Sequence, residues 1–394
     1  MDRRHNPYAP GAGTPPPHEL FGRAEIIEEI DIALDRLRSG RPSQHHMLVG
    51  LRGVGKTVLL DHIERRCEDR GFVCLKLEAP ESRSLPALLV PGLRAALLQL
   101  DRGQAAMSMA KRALGGLRNF ASAFKLSYGE IEASISPADP GVADSGDLES
   151  DLSDLLTMVG EAAAERKTAF ILFIDELQYV PEADLGALVT ALHRVNQRKH
   201  PLGIVGAGLP QLVGLFGRAK SYAERMFLFN EIGQLGEGFA REAVSVPARD
   251  EGVAFTDEAI DEILAVTERY PYFLQQWGFQ AWNVAQQSPI TKADIQAATP
   301  AAIAALDASF FRMRFDRLTP KERQYLRAMA ALGDDPQRSA DVAARLMRST
   351  NAAGPARDSL IRKGMIYSPE HSIVAFTVPL FGDFMRRAMA EGGE

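Results

Sequence analysis

The sequence predicts an α/β protein, with a parallel β-sheet in its first half and mostly helices in its second half. Two apolar runs, Ala169 to Ile174 and Leu202 to Ala207, have the length and composition of strands that are covered on both faces, as in parallel sheets. A shorter strand, His46 to Val49, leads into a glycine-rich loop, a helix and another strand, Phe72 to Leu77. This order is typical of the start of a parallel α/β sheet. After about Gly236 the strand signal fades.

The composition is ordinary for a globular protein: 394 residues, 46% hydrophobic, 24% charged, formal net charge −6. The length predicts two or three domains, and the acidic balance disfavours a strongly basic nucleic-acid-binding protein. The two cysteines, Cys67 and Cys74, are too few for a disulfide framework and fit buried thiols in a reducing compartment. No secretory signal and no apolar run of about 20 residues is found, so we expect a cytoplasmic protein without a membrane partner.

Four segments are predicted along the chain. Residues 1–20, rich in proline and glycine, form an N-terminal linker, and residues 21–236 form the α/β core. Polar and apolar residues alternate near 124–137, which predicts a hairpin inserted in that core. Residues 237–308 are predicted to form a small helical domain, and residues 309–394 a winged-helix domain.

The winged-helix prediction rests on the order of the last elements. Thr319 and Glu322 have the spacing of a capping box, with Pro320 in the first turn of the helix. Three helices and two short strands then follow one another, at 320–332, 339–347, 355–363, 365–368 and 373–377. Three helices followed by a hairpin is the outline of a winged helix.

The glycine-rich loop matches the pattern GxxxxGK[ST] in full. Its glycines permit backbone conformations in which successive N–H groups point at phosphates, and the following helix adds its positive N-terminal end. Lys56 supplies a charge to the phosphates of ATP, and Thr57 supplies a hydroxyl to Mg²⁺. The predicted nucleotide contacts in and beside this loop are Gly50, Leu51, Arg52, Gly53, Val54, Gly55, Lys56, Thr57 and Val58.

An acid pair, Asp175-Glu176, follows the apolar strand at 169–174. The carboxyl ends of parallel strands share one edge of the sheet, so these acids are expected beside the phosphate loop. Asp175 is the predicted Mg²⁺ ligand, and Glu176 is the predicted catalytic base that orients and deprotonates the attacking water. Paired acids favour hydrolysis over transfer to a second substrate.

With these two motifs, the chain resembles AAA+ ATPases of the origin-recognition-complex-like group, which grade into the STAND signalling ATPases. The resemblance covers nearly the whole chain and implies a five-stranded P-loop NTPase core, a helical lid and a winged helix. It also implies nucleotide contacts outside the loop. These are Tyr8 in the N-terminal linker, the element Phe21-Gly22-Arg23 beside the adenine, and Pro271 in the lid.

Two positions depart from the pattern of that family, and a third would act only on a neighbouring subunit. The strand at 202–207 should end in a polar residue that senses the γ-phosphate, yet the next such side chain is Gln211. Arg269 stands where the lid turn usually has glycine; it either reaches the phosphates or begins a helix. Arg225 lies where related proteins carry an arginine finger for a neighbouring subunit, which makes a homo-oligomer a candidate assembly; a surface arginine is the alternative.

Three hypotheses for the function and the partner of this chain remain open. The first is a switch that binds ATP and hydrolyses it slowly to ADP, with Glu176, Lys56 and Arg225 as catalytic residues. The second is an ATP-controlled protein that binds double-stranded DNA through Arg357, Arg362 and Lys363, the basic residues of the predicted recognition helix. The third is a scaffold with a vestigial ATPase, which the missing sensor would explain.

Overall fold

The structure, a computed structural model, describes residues 1–11, 20–80, 83–101, 109–126 and 141–389. Most of the hairpin predicted near 124–137 lies outside these residues. The chain divides into two compact units. The sheet unit contains residues 24–49 and 59–231, and the helical unit contains residues 1–23, 50–58 and 232–394.

A five-stranded parallel sheet forms the centre of the sheet unit. Its strands are β1 (His45–Val49), β2 (Val73–Glu78), β3 (Phe170–Asp175), β4 (Leu202–Gly208) and β5 (Phe227–Glu231), in the order β2-β3-β4-β1-β5. Every residue of β3 and β4 is buried. This sheet confirms the predicted α/β class.

The register places the ends of β1 and β3 at one edge of the sheet. Val49, the last residue of β1, pairs with Gly208, while Ile174 of β3 pairs with Gly206. Because all strands are parallel, the chain leaves both β1 and β3 at their shared carboxyl edge, with β4 between them.

Helices surround the sheet in the chain order expected of an α/β unit. They are α1 (Ala24–Arg38), α2 (Lys56–Asp69), α3 (Leu85–Leu100), α4 (Met109–Ala123), α5 (Leu148–Glu165), α6 (Glu182–Gln197), α7 (Leu212–Ala219) and α8 (Ala223–Met226). Helix α2 begins with the last residues of the phosphate loop. The apolar faces of α3 to α7 pack with the sheet into one core.

The helical unit contains nine further helices among its described residues: α9 (Glu237–Asp250), α10 (Asp257–Thr267), α11 (Pro271–Val284), α12 (Lys292–Leu306), α13 (Arg312–Asp316), α14 (Pro320–Leu332), α15 (Ser339–Arg345), α16 (Thr350–Arg362) and α17 (Phe381–Ala388). A small antiparallel sheet, in the order β6-β8-β7, consists of β6 (Gln337–Arg338), β7 (Ile366–Tyr367) and β8 (Ile373–Phe376).

One core of buried apolar side chains, many of them aromatic, runs through the helical unit from α9 to α17. Trp277 is buried in it, and Trp282 is buried in a small adjoining cluster with Tyr8, as expected of core residues. This core crosses the predicted boundary at 308/309. The predicted segment limits stay predictions.

The three helices and two strands predicted for the C-terminal part are present in order, with one corrected boundary and with β6 and α17 as elements that were not predicted. The Thr319–Glu322 capping box is present, since each residue's side chain accepts a hydrogen bond from the other's backbone N–H. Helix α16 begins at Thr350 instead of Pro355, because the side chain of Ser349 caps it by accepting from the N–H of Ala352.

Among the described residues, no helix has the length and apolar character needed to cross a bilayer.

Candidate nucleotide-binding site

The phosphate loop, Gly50–Thr57, begins one peptide bond after the end of β1, and α2 begins within it at Lys56. Gly53 and Gly55 have φ of +83° and +90°, a left-handed backbone that favours glycine. A Cβ on Gly50 would collide with the carbonyl oxygen of Ile232. The three glycines of the motif are therefore required by backbone geometry and by close packing.

Lys56 folds back over its own loop. Its Nζ donates hydrogen bonds to the carbonyl oxygens of Gly50 at 2.9 Å and Leu51 at 2.8 Å. For this ammonium group, a phosphate oxygen would be a charged acceptor in place of these neutral carbonyls.

Two backbone hydrogen bonds connect the phosphate loop to the rest of the helical unit. The N–H of Tyr272, in the first turn of α11, donates to the carbonyl oxygen of Gly53 at 3.2 Å. The N–H of Arg52 donates to the carbonyl oxygen of Thr377, just after β8, at 2.9 Å. The loop therefore contacts both the predicted lid and the C-terminal domain directly.

The element Phe21-Gly22-Arg23 lies beside this loop. A guanidinium N–H of Arg23 donates to the carbonyl oxygens of Gly233 at 2.6 Å and Val54 at 3.4 Å, and burial lowers the pKa of Arg23. Gly22 has φ of +69°, and a Cβ there would lie 2.9 Å from Cδ2 of Phe239. The Phe21-Gly22-Arg23 element thus lies against the phosphate loop, and Arg23 helps to hold the loop in position.

Tyr8 and Pro271 have different surroundings. Tyr8 is 2% exposed, its hydroxyl donates to the carbonyl oxygen of Val244, and burial raises the pKa of Tyr8. The ring of Tyr8 is enclosed, and its predicted contact with the base stays a prediction. Pro271 begins α11 and directly precedes Tyr272, the residue that donates to Gly53.

The acid pair stands at the carboxyl end of β3. Asp175 is 4% exposed, and its carboxylate accepts a hydrogen bond from the N–H of Glu176 at 2.7 Å. Glu176 has φ of +54°, a left-handed conformation that costs a non-glycine residue on the order of 1 kcal/mol. Strain of this kind occurs at functional sites, although Glu176 shares it with nine other non-glycine residues of the described chain.

Sequence reasoning missed one residue of this group, Gln178. Its Nε2 donates a hydrogen bond to the carboxylate of Glu176, and its Oε1 accepts one from the N–H of Leu209 at 3.0 Å. Leu209 directly follows β4, the strand whose end lacks a polar sensor. The contact depends on β3 and β4 being neighbours in the sheet, which the local sequence does not reveal.

Arg225 belongs to the sheet unit and Arg269 to the helical unit. Arg225 is exposed in α8 and precedes β5, so it lies at the amino edge of the sheet, opposite to Asp175. Its predicted role as an arginine finger stays a prediction. Arg269 has φ of +60° and accepts a hydrogen bond from the N–H of Leu235 at 3.1 Å. A left-handed backbone of this kind favours glycine.

Two of the basic residues predicted for DNA contact have intramolecular partners. Lys363 donates to the buried carboxylate of Glu322 at 2.8 Å, and Arg357 pairs with Asp358 at 2.9 Å. Arg362, at the end of α16, is exposed.

Residues 19–205 match the family model described as "AAA ATPase domain". This matched part, just under half of the chain, is thus similar to AAA ATPase domains. Residues 308–385 match a second model, described as "Domain of unknown function (DUF8462)". No curated protein sequence matches the chain. The AAA match covers the phosphate loop and the acid pair, and it agrees with the AAA part of the resemblance that these motifs carry.

Solved structures with the same fold extend the likeness to almost the full length. The Walker-type ATPase of Pyrococcus abyssi superposes with a TM-score of 0.58 at 15% identity, covering 93% of this chain and 96% of that one. The ORC2 protein of Aeropyrum pernix, solved as ADPNP–ADP complexes, gives 0.54 at 14% identity, covering 99% of each. At such identities the likeness concerns the fold.

Proposed function

We propose that this chain is a switch: it binds ATP with Mg²⁺ at Gly50–Thr57, hydrolyses it slowly, and changes conformation as it does so. The AAA ATPase domain supports nucleotide binding and ATPase activity in general. The slow rate, the role as a switch and the residues involved are our proposal.

In this proposal the backbone N–H groups of the loop and the Nζ of Lys56 bind the β- and γ-phosphates. Glu176 accepts a proton from the water that attacks the γ-phosphorus, and ADP leaves. Thr57 and Asp175 are oxygen donors, which suit Mg²⁺, and they are the residues that would hold it. When bound, the ion neutralises charge on the phosphates.

The observation that carries the proposed switch is the pair of backbone hydrogen bonds from the loop to Tyr272 and Thr377. Filling the loop with phosphate requires its N–H groups and Lys56 to adjust, since Lys56 now donates to Gly50 and Leu51. That adjustment is transmitted to the start of α11 and to the segment after β8 without any intervening residue.

Hydrogen exchange with and without ATP and Mg²⁺ tests this proposal. In the wild-type chain we expect slower exchange in the loop and altered exchange in residues 364–378, because the backbone N–H and the side chain of Arg52 donate hydrogen bonds to Thr377 and Gly364. The Lys56→Ala variant should show neither effect, whereas the control Lys199→Ala, at an exposed lysine, should show both. No change in the loop would exclude ATP binding, and a change confined to the loop would exclude the switch.

In the proposed function, Arg225 acts on a nucleotide only if copies of the chain form an oligomer. Its exposed position at the amino edge of the sheet leaves it available to a neighbouring copy. Binding of double-stranded DNA through α16 stays a prediction: Lys363 and Arg357 are engaged with Glu322 and Asp358, while Arg362 is exposed.

A further inference from the structure

Gln178 belongs to a short 3₁₀ turn, Leu177–Tyr179, that directly follows the acid pair. The turn leaves β3 through the left-handed residue Glu176, so that the side chains of Glu176 and Gln178 approach each other. Gln178 Nε2 donates to the Glu176 carboxylate.

The orientation of the Gln178 amide is fixed from its other end. The N–H of Leu209 is a donor, so the atom that faces it at 3.0 Å must be the acceptor, Oε1. The amide nitrogen is thereby turned toward Glu176, where it meets a carboxylate that only accepts hydrogen bonds. Leu209 thus determines which group Gln178 presents to the acid.

The glycines of β4 make room for this turn. A Cβ on Gly208 would lie 2.8 Å from Gln178 Oε1, and a Cβ on Gly206 would collide with Leu177. Two successive residues of the turn therefore pack against two glycines at the carboxyl end of the strand. Gln178 is seated there by the packing of both elements.

The carboxyl end of β4 is the position at which the sequence lacks a polar side chain. In the resembling ATPases a polar residue at the end of this strand is expected, and here the strand ends in Ala207 and Gly208. The Gln178 amide stands at the same strand end, supplied from the turn after β3 instead of from β4 itself.

We propose that Gln178 is a positioning residue for Glu176 and that it replaces the missing polar residue at the end of β4. Its N–H holds the carboxylate in one rotamer, and Leu209 holds the amide. A glutamate side chain otherwise has three rotatable bonds, and a displaced base loses rate while the nucleotide still binds. This inference rests on the proposed function, in which Glu176 is the base.

The test compares Gln178→Ala and Gln178→Glu with the wild-type chain, measuring ATPase kcat and the Kd for ATP. Glutamate keeps the size of the side chain and an acceptor for Leu209, but it lacks the N–H that meets Glu176. We expect both variants to lose kcat by roughly tenfold to a hundredfold while Kd stays within about twofold.

Two other glutamines are the controls. Gln197 is exposed on α6, and Gln211 is the first polar residue after β4 along the chain. Gln197→Ala and Gln211→Ala should retain wild-type kcat. The inference is overturned if either Gln178 variant keeps kcat within about twofold, if Kd weakens in parallel with kcat, or if Gln211→Ala loses as much.

A double variant separates this inference from the proposed function. If Gln178 acts through Glu176, Gln178→Ala adds nothing to the loss caused by Glu176→Gln, because residues that act as a unit are not additive. Additive losses overturn the positioning role alone. If Glu176→Gln hydrolyses ATP at the wild-type rate, the proposed function itself has failed.

Discussion

At the scale of single residues, the glycines of β4 show how tightly the sheet unit is packed. Gly206 is buried near the carboxyl end of β4, between the side chains of Met47 and Leu177. A Cβ there would lie 2.6 Å from the Met47 sulfur, closer than van der Waals contact allows, and would collide with Leu177. The strand can therefore carry no larger residue without displacing the neighbouring strand or the turn after β3.

We predict that Gly206→Ala destabilises the protein by about 1–3 kcal/mol through overpacking. Gly217 is the matched control. It lies exposed in α7 with open space around its Cα, so Gly217→Ala should be neutral or stabilise by roughly 0.5–1 kcal/mol. Urea unfolding of both variants measures the difference. Equal stability of the two would show that β4 tolerates an added methyl group.

Residues that share a contiguous motif were predictable at this scale, and residues that meet through the fold were not. The positions of Lys56 and Asp175 follow from short segments whose strand and helix context is visible in the sequence. Gln178 was missed because its partner Leu209 is remote along the chain. The roles of the predicted residues stay predictions until they are measured.

At the scale of elements, a buried carboxylate joins two helices of the C-terminal domain. Glu322 in the first turn of α14 is 3% exposed and accepts hydrogen bonds from Lys363 at 2.8 Å and Ser359 at 2.7 Å, and also from the N–H of Thr319. Burial by itself would raise the pKa of Glu322, but these hydrogen bonds outweigh it and lower the pKa to about 2. The group is therefore ionised and stabilises the contact between α14 and α16.

We predict that Lys363→Met destabilises the chain by about 2–3 kcal/mol at pH 7, because it leaves a buried carboxylate without its cation. Arg357→Met is the control, since its exposed pair with Asp358 is worth less than about 1 kcal/mol. A folded pKa below the unfolded value gives stability that is present above about pH 4.3 and is lost toward pH 2. The Lys363→Met effect should accordingly shrink over that range in denaturant titrations. If Lys363→Met destabilised the chain no more than Arg357→Met, or by an amount that does not change with pH, this prediction would be contradicted.

The elements that sequence reasoning missed have weak periodic signals. Strand β5 is only partly buried along its length, and its polar residues, Asn230 and Glu231, interrupt the apolar run. Helices α9 and α12 contain Pro247 and Pro300, which favour breaks when the sequence is considered alone. Packing against the core of the helical unit outweighs the lost hydrogen bonds.

At the scale of the whole molecule, the phosphate loop is bonded to two distant parts of the chain. Its partners, Tyr272 and Thr377, lie in the predicted lid and just after the last strand. Many weak local preferences specify the α/β class, and they agree with the structure. The long-range connection of the loop to Thr377 depends on tertiary packing, so no local pattern announces it.

The central claim is that ATP bound by this loop is hydrolysed with Glu176 as the base. A single-turnover experiment, with protein in excess over radiolabelled ATP and Mg²⁺, tests it most directly. We predict that the wild-type chain converts the bound ATP to ADP, while Glu176→Gln binds ATP with unchanged affinity and retains it at least about a hundredfold longer. ATP that does not bind, or that both proteins hydrolyse at the same rate, would contradict the claim.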